Sequence, residues 1–303
     1  MPHNSIYHEM RAILAAVAER LRVPIDDAKL LRLHSNANFA LPSAGLVVRI
    51  ATNPGALQRV TASIAATRWL AGRGLPCVVP ADIDGQPLVI DGRVVSLWRH
   101  LSLTAGLPPT GADLGKLLRE LHTHPVPPHP LGRFSDPFTS VSSAIEEAPD
   151  AMPDTSRSWL KGRIAWLRDR WSAMDFPRPP GLIHGDAHIG NLMRTSAGEV
   201  ILGDWDHVAV GPREWDLMQI HFMRRRFGRA TKADLDAFAS SYGWEIRRWP
   251  GLDTLIAIRE ITGLSPYIRT AGTKPFSRQQ LAYRLKTLQA NDGTARWESP
   301  PQE

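Results

Sequence analysis

The spacing of hydrophobic and polar positions changes character along the chain. Residues 5–22 space their apolar positions as one face of a helix, interrupted by His8, Glu9, Arg11, Glu19 and Arg20. Those charges set the stretch apart from a secretory signal, whose apolar segment is continuous. KLLRL (29–33), NFAL (38–41) and GLVVRI (45–50) are short apolar runs separated by small polar residues, and they predict three strands. ALQRVTASIAATRWLAGRG (56–74) returns to helical spacing and stops at Gly72 and Gly74. In PLVIDGRVVSLW (87–98), Asp91-Gly92 between two apolar runs is a hairpin signal. The first hundred residues therefore predict a small antiparallel sheet carrying a helix.

From about residue 110 helical spacing dominates. GADLGKLLRELH (111–122) follows a Thr110 cap, and 156–174, 212–227, 231–243, 251–262 and 277–290 repeat the pattern. PVPPHPLGRFSDP (125–137) is a proline-rich loop, and LMRTSAGEVIL (192–202) reads as two short strands around Thr195–Gly198. LSLTAGLPP (101–109) is the natural hinge, between lobes at 1–100 and 110–303. The tail NDGTARWESPPQE (291–303) reads as loosely held. No internal repeat is visible.

Composition changes this picture little. The 303 residues are 43% hydrophobic and 22% charged, an ordinary balance for a globular protein. Cys77 is the single cysteine, so no internal disulfide forms and a reducing compartment fits. No apolar run approaches the roughly 20 residues that cross a bilayer, and the expectation is a cytoplasmic protein that engages no membrane. The net charge is +6, and RRRFGR (224–229) is the densest basic run. It reads as a solvated helix face. No aromatic-interleaved basic stripe accompanies it, and no nucleic-acid partner is expected.

The chemistry concentrates in HGDAHIGN (184–191). His184, Asp186 and Asn191 have the spacing H-x-D-x-x-x-x-N, that of a kinase catalytic loop. Phosphoryl transfer needs a carboxylate beside the attacking hydroxyl, and oxygen ligands for Mg²⁺, a hard cation. Asp186 and Asn191 offer a carboxylate and a carboxamide on one tight loop. Thirteen residues after Asn191 comes GDWD, with Asp204 and Asp206. A hairpin over 192–202 returns the chain, bringing Asp204 back beside Asn191 as a second, anionic oxygen ligand.

HGDAHIGN, then ILGDWD (201–206), then GPREWDL (211–217) resembles the aminoglycoside phosphotransferase and choline-kinase-like family, a group with a protein-kinase-like fold. NFAL–GLVVRI resembles that family's nucleotide loop and following strand, and LGKLLRELH (114–122) its helix after the hinge; most of residues 30–220 is covered. The resemblance implies an α+β, bilobal kinase-like fold with a small antiparallel-sheet N-lobe and a larger, mainly helical C-lobe. It implies Asp186 as catalytic base, and Asn191 and Asp204 as holders of Mg²⁺. His184 becomes a packing and hydrogen-bonding residue, and Asp216 a brace for the loop from the next helix. His188 reads as loop support. HSNANFALPSAGLVVRI (34–50) would cover ATP, or GTP, with Ser35, Asn36 and Asn38 as donors to phosphate oxygens. LWRHL (97–101) would meet the adenine.

Two departures stand out. Arg49 occupies the place of the family's phosphate-reading lysine, and an arginine differs from a lysine in shape and hydration. No Asp or Glu occurs between Asp27 and Asp82, so helix 56–72 supplies no glutamate to pair with it; Ser63 lies near the expected position. Arg49 either finds another acceptor or relies on phosphate alone.

The acceptor is expected to be a small hydroxylated molecule: an antibiotic, sugar, amino sugar or amino alcohol. Residues 217–303 hold 14 Lys/Arg and 8 Asp/Glu, which disfavours a polycationic aminoglycoside. Glu260, in the apolar IREIT, is a candidate substrate contact or a buried ion-pair partner, and Asp206 either a substrate-side residue or a cap before Gly211. Trp215, Trp244, Trp249 and Tyr267 read as core first and pocket wall second. The resulting expectation is an ATP- or GTP-dependent O-phosphotransferase. The alternatives are a nucleotide-binding pseudokinase, favoured by Arg49 and the acid-free helix; a metal hydrolase using His184, Asp186 and His188; and a nucleic-acid binder. The oligomeric state is not legible.

Overall fold

The computed structural model describes residues 2–33, 35–104 and 106–300. Its N-terminal part is a five-stranded antiparallel sheet in the order β1-β2-β3-β5-β4. β1 spans Lys29–Leu33, β2 Asn36–Leu41, β3 Leu46–Ala51, β4 Leu88–Ile90 and β5 Arg93–Arg99. Asp91 and Gly92 both take positive φ, 48° and 74°, between Ile90 and Arg93, as a tight primed hairpin turn requires.

Residues paired across this sheet point to one face, and alternate residues point to the other. Phe39, Val48 and Leu97 form one row. That face packs on α1 (Pro2–Leu21) through Met10, Ile13, Leu14 and Val17. The opposite face carries Ala51, Val94 and Trp98 and packs on Val60 and Ile64 of α2 (Leu57–Ala71). The row Asn38–Arg49–Ser96 lies on this second face. Register alone thus turns Arg49 away from the α1 core.

The C-terminal part is mainly helical: α3 (Gly111–Leu121), α4 (Thr139–Glu147), α5 (Asp154–Ser172), α6 (Glu214–Phe227), α7 (Lys232–Tyr242), α8 (Leu252–Thr262), α9 (Ser265–Thr270) and α10 (Pro275–Gln289). Thr110 caps α3 and Thr231 caps α7, each in a reciprocal capping box with the aspartate three residues on. α3 and α7 approach through glycine: a Cβ on Gly111 would stand 2.1 Å from the Asp234 carbonyl oxygen, and one on Gly115 2.5 Å from that of Phe238. α2 serves both halves, since its later residues Ala66 and Leu70 join the large helical core.

Two short ribbons frame the catalytic stretch: β6 (Gly181–Ile183) with β9 (Ala209–Gly211), and β7 (Leu192–Arg194) with β8 (Val200–Leu202). The β7–β8 hairpin also ties the halves together. Leu202 exchanges backbone hydrogen bonds with residues 76–78, and Arg194 and Ser196 bond to Thr104 and Ser102. The proposed hinge stretch 101–109 includes Ala105, which lies outside the described residues.

Four elements escape the sequence pattern: α4, α9, β6 and β9. Each is short. α4 also begins TSVSS, residues that compete with the backbone for hydrogen bonds. Two expectations need correction. The tail is docked, because Trp297 is buried against Phe222 and Phe227 and the Arg226 guanidinium donates to the carbonyls of Asp292 and Ala295; residues 301–303 of that tail lie outside the described residues. The basic run 224–229 is not wholly solvated: Arg226 is 3% exposed and pairs with Glu260 at 2.6 Å. Among the described residues no helix is long and apolar enough to cross a membrane.

Candidate active site

The loop after β6 is held from below by one buried carboxylate. Asp216, in the first turn of α6, is fully buried and accepts from the backbone N–H of His184 at 2.7 Å and of Gly185 at 2.8 Å. Its Oδ2 also meets His122 Nε2 at 3.2 Å, and Tyr242 Oη lies 2.9 Å from the other nitrogen of that ring. Trp215 Nε1 donates to the Gly185 carbonyl at 2.9 Å. Gly185 has φ +87°, and a Cβ there would stand 2.2 Å from the His207 carbonyl oxygen, so the turn admits only glycine.

His184 is spent on structure. Its Nε2 lies 2.8 Å from the Gly203 carbonyl, and its Nδ1 accepts from the Asp186 N–H at 3.3 Å. Its ring packs edge-on against Trp205. With both nitrogens engaged, it has none left for a metal, which removes the metal-hydrolase reading.

Asp186, Asn191 and Asp204 converge. Asn191 Nδ2 donates to the Asp186 carbonyl at 2.9 Å, which leaves Oδ1 as the free acceptor of that side chain. The Gly203 N–H donates to the Asn191 carbonyl, 2.9 Å, as the β7–β8 hairpin closes. This sets Asp204 beside Asn191 on a left-handed backbone, φ 58° and ψ 58°.

The Asp186 carboxylate meets Arg259 Nη2 at 3.1 Å through Oδ1, and His188 Nε2 at 3.8 Å through Oδ2. Burial pushes its pKa up, but Arg259 first, then His188, His207 and His184, outweigh this and hold it well below the usual carboxylate range. Burial lowers the pKa of His188, so that ring favours its neutral form. For Asp204, burial raises the pKa and Arg49 more than offsets it.

Across the cleft, Arg49 has found its acceptors. One nitrogen, Nη2, lies 3.0 Å from Asp204 Oδ1 and 2.7 Å from Asp206 Oδ2. Asp206 is 9% exposed and also accepts from Asn36 Nδ2 at 3.2 Å, with Arg59 of α2 at 3.8 Å. The acid that α2 lacks is thus supplied from the other half of the molecule, two residues past Asp204. Asn36 also approaches Ser35 Oγ at 3.4 Å, and the Oδ1 atoms of Asn36 and Asn38 are buried without a partner among the described residues.

Not every candidate joins this cluster. Glu260 is buried and bonded to Arg226, away from Asp186. Its neighbour Arg259, which the sequence pattern did not single out, reaches the loop instead. Successive helical residues point about 100° apart, so IREIT could aim only one of its two charges at the cleft. Asp206 faces Arg49 and Asn36. Trp244 and Trp249 pack on the core, Trp215 supports the loop, and Tyr267 Oη accepts from Arg284.

The donor set suits a hard divalent cation held mainly by phosphates. Asn191 Oδ1 and the Asp204 carboxylate offer oxygen donors, the kind Mg²⁺ takes from protein, usually in ones and twos. Among the described residues no three His, Cys, Asp or Glu side chains form a cage that would hold a metal by themselves.

Comparison with known proteins bears on the family and the fold. The sequence model of the phosphotransferase enzyme family matches residues 28–252. A structure of the amicoumacin kinase hAmiN in complex with AMP-PNP, Ca²⁺ and Ami superposes with TM-score 0.72 at 12% identity, over 96% of this chain and 98% of that one. A choline/ethanolamine kinase family protein from Mesorhizobium loti gives 0.60 at 18% identity, over 87% of each chain. The GDP and kanamycin complex of APH(2")-IIia gives 0.61 at 16%, over 89% and 95%. At these identities the likeness concerns the fold, which is the bilobal kinase-like architecture with a small sheet lobe and a larger helical lobe.

Proposed function

The chain belongs to the phosphotransferase enzyme family, and we propose that it transfers the γ-phosphoryl group of ATP or GTP to a hydroxyl of a small molecule. The observation that carries this reading is the convergence of Asp186, Asn191 and Asp204 opposite Arg49. Asp186 orients the acceptor hydroxyl and takes its proton as the new O–P bond forms and the bond from Pγ to the β-phosphate oxygen breaks. Its low pKa keeps it ionised throughout the neutral range, the form that accepts a hydrogen bond from the hydroxyl and orients it. Asn191 and Asp204 would hold Mg²⁺, which when bound supplies charge neutralisation at the phosphates.

Arg49 contacts phosphate oxygens as a planar fork. Asp206 holds that guanidinium in place, the work a helix acid would otherwise do. Ser35 and Asn38 attend the phosphates as donors, and Asn36, whose Nδ2 already donates to Asp206 and Ser35, helps to position Asp206. Asp216 and His184 keep the loop in shape. The acid-free helix α2 is the feature that favours a pseudokinase, and the Arg49–Asp206 pair answers it. The single cysteine leaves no internal disulfide to form, which fits a reducing cytoplasm.

The test is ADP or GDP release with Mg²⁺ across aminoglycosides, other hydroxylated antibiotics, hexoses, amino sugars and amino alcohols. Acceptor-dependent release that vanishes in Asp186→Ala supports the reading. Equal turnover by that variant removes Asp186 from its role.

A further inference from the structure

Around the catalytic loop the carboxylates are committed. Asp204 and Asp206 hold Arg49, Asp216 holds the loop amides, and Glu260 holds Arg226. What faces Asp186 from the helical side is a cation. Arg259 Nη2 touches Asp186 Oδ1 at 3.1 Å, and Arg259 Nε donates to Gln219 Oε1 at 3.1 Å. Gln219 in turn donates to the Gly185 carbonyl at 3.4 Å, and the Arg259 guanidinium lies 4.9 Å over the Phe222 ring. Arg259 is therefore oriented by its own supports, with a quarter of its side chain still exposed.

Arg259 takes one oxygen of Asp186 and leaves Oδ2, 3.8 Å from His188 Nε2, to accept from an acceptor hydroxyl, which then sits beside the guanidinium. That guanidinium faces the acceptor at close range, partly desolvated, with N–H donors beyond those held by Asp186 and Gln219. A planar carboxylate on the acceptor satisfies that fork with two parallel hydrogen bonds. An ammonium group there would meet the like charge of Arg259, which selects against it. The single contact between Arg259 and Asp186 limits the span: the carboxylate sits one or two carbons from the reacting hydroxyl. Resting on the phosphotransferase reading above, we infer that the acceptor is a small hydroxy acid, with Arg259 as the residue that reads its carboxylate.

The experiment compares matched acceptors on the intact protein with Mg-ATP and Mg-GTP: glycerate, glycerol and serinol; gluconate, glucitol and glucamine; and kanamycin and choline. Thermal stabilisation by Mg-ADP alone is scored first, because its absence removes the phosphotransferase reading and this proposal with it. A carboxylate member should add stabilisation to the Mg-ADP-loaded protein and drive ADP or GDP release at least about tenfold faster than its neutral and amine partners, the scale of a charge-assisted hydrogen bond. Arg259→Gln should raise the KM for that carboxylate by about tenfold, with any change in kcat shared by the neutral partner and smaller than that rise, and Arg259→Lys should restore part of the loss.

With nucleotide binding intact, three results overturn the proposal and spare the kinase reading. One is release led by an amine or neutral acceptor. Another is no response to any carboxylate member. The third is an equal fall in kcat for every acceptor in Arg259→Gln, which would place Arg259 on the transferred phosphate.

Discussion

The proposed catalytic loop and the proposed phosphate-reading face are both polar clusters, but they are assembled differently. Asp186, Asn191 and Asp204 lie within nineteen residues, and one hairpin closes them together. Arg49, Asn36 and Asp206 come from positions up to 170 apart and meet only because β2 and β3 turn one face toward the loop after β8. The first cluster is fixed by local geometry. The second depends on how the two halves are seated, so it also ties nucleotide contact to their relative position.

The largest effect should break the local cluster at its centre. Asp186→Ala should lower kcat by about a thousandfold or more, within the range of general-base catalysis. Melting temperature and nucleotide affinity should stay near those of the parent. A fall in nucleotide affinity equal to the fall in kcat would mean that the two clusters are not separable.

Next is the support beneath the loop. Asp216→Ala leaves two backbone N–H groups and His122 without their acceptor in a fully buried place, and should cost about 3–5 kcal/mol of stability. Chemical denaturation would show it as a lower midpoint with unchanged slope. A midpoint equal to the parent would mean that Asp216 does not hold the loop.

The same scaffold should be the acid-sensitive region. His221 on α6 is 7% exposed, and burial, with help from Arg247, lowers its pKa from the ordinary 6.5 to about 4. Between those values the unfolded chain binds a proton that the folded chain refuses. Stability therefore falls as the pH drops from 6.5 toward 4, by about 3 kcal/mol in total. His221→Phe should flatten that stretch of the stability curve; an unchanged slope would clear His221.

The smallest effect probes the assembled cluster. Asp206→Asn keeps the shape but removes the charge that holds Arg49, and should weaken Mg-ATP binding by about tenfold, with a smaller change in kcat. Adding Ser63→Glu, which returns an acid to α2, should recover part of the affinity. If Asp206→Asn binds nucleotide like the parent, the inter-lobe pair is incidental to phosphate contact.

These contrasts also show what a sequence displays. The strands of the sheet, the Asp91-Gly92 hairpin and the capped α3 are legible because each is encoded within one short window. The meeting of Asp186, Asn191 and Asp204 is legible for the same reason. The partner of Arg49 is not, because a search along α2 for an acid finds Ser63, while the acid present sits about 150 residues away on the loop that carries Asp204. Arg259 is masked by its neighbour Glu260, since apolar spacing does not say which of two adjacent charges turns to the cleft. β6 and β9, three residues each, are too short to show a period and exist only through each other.

The central claim is that Asn191 and Asp204 form a metal and phosphate site distinct in role from Asp186. Titration of Mn²⁺ in the presence of ADP tests it most directly, comparing the parent with Asp204→Ala and Asp186→Ala. The account predicts at least about a tenfold loss of Mn²⁺ affinity in Asp204→Ala, with Asp186→Ala binding as the parent does. Mn²⁺ affinity untouched by Asp204→Ala would contradict it.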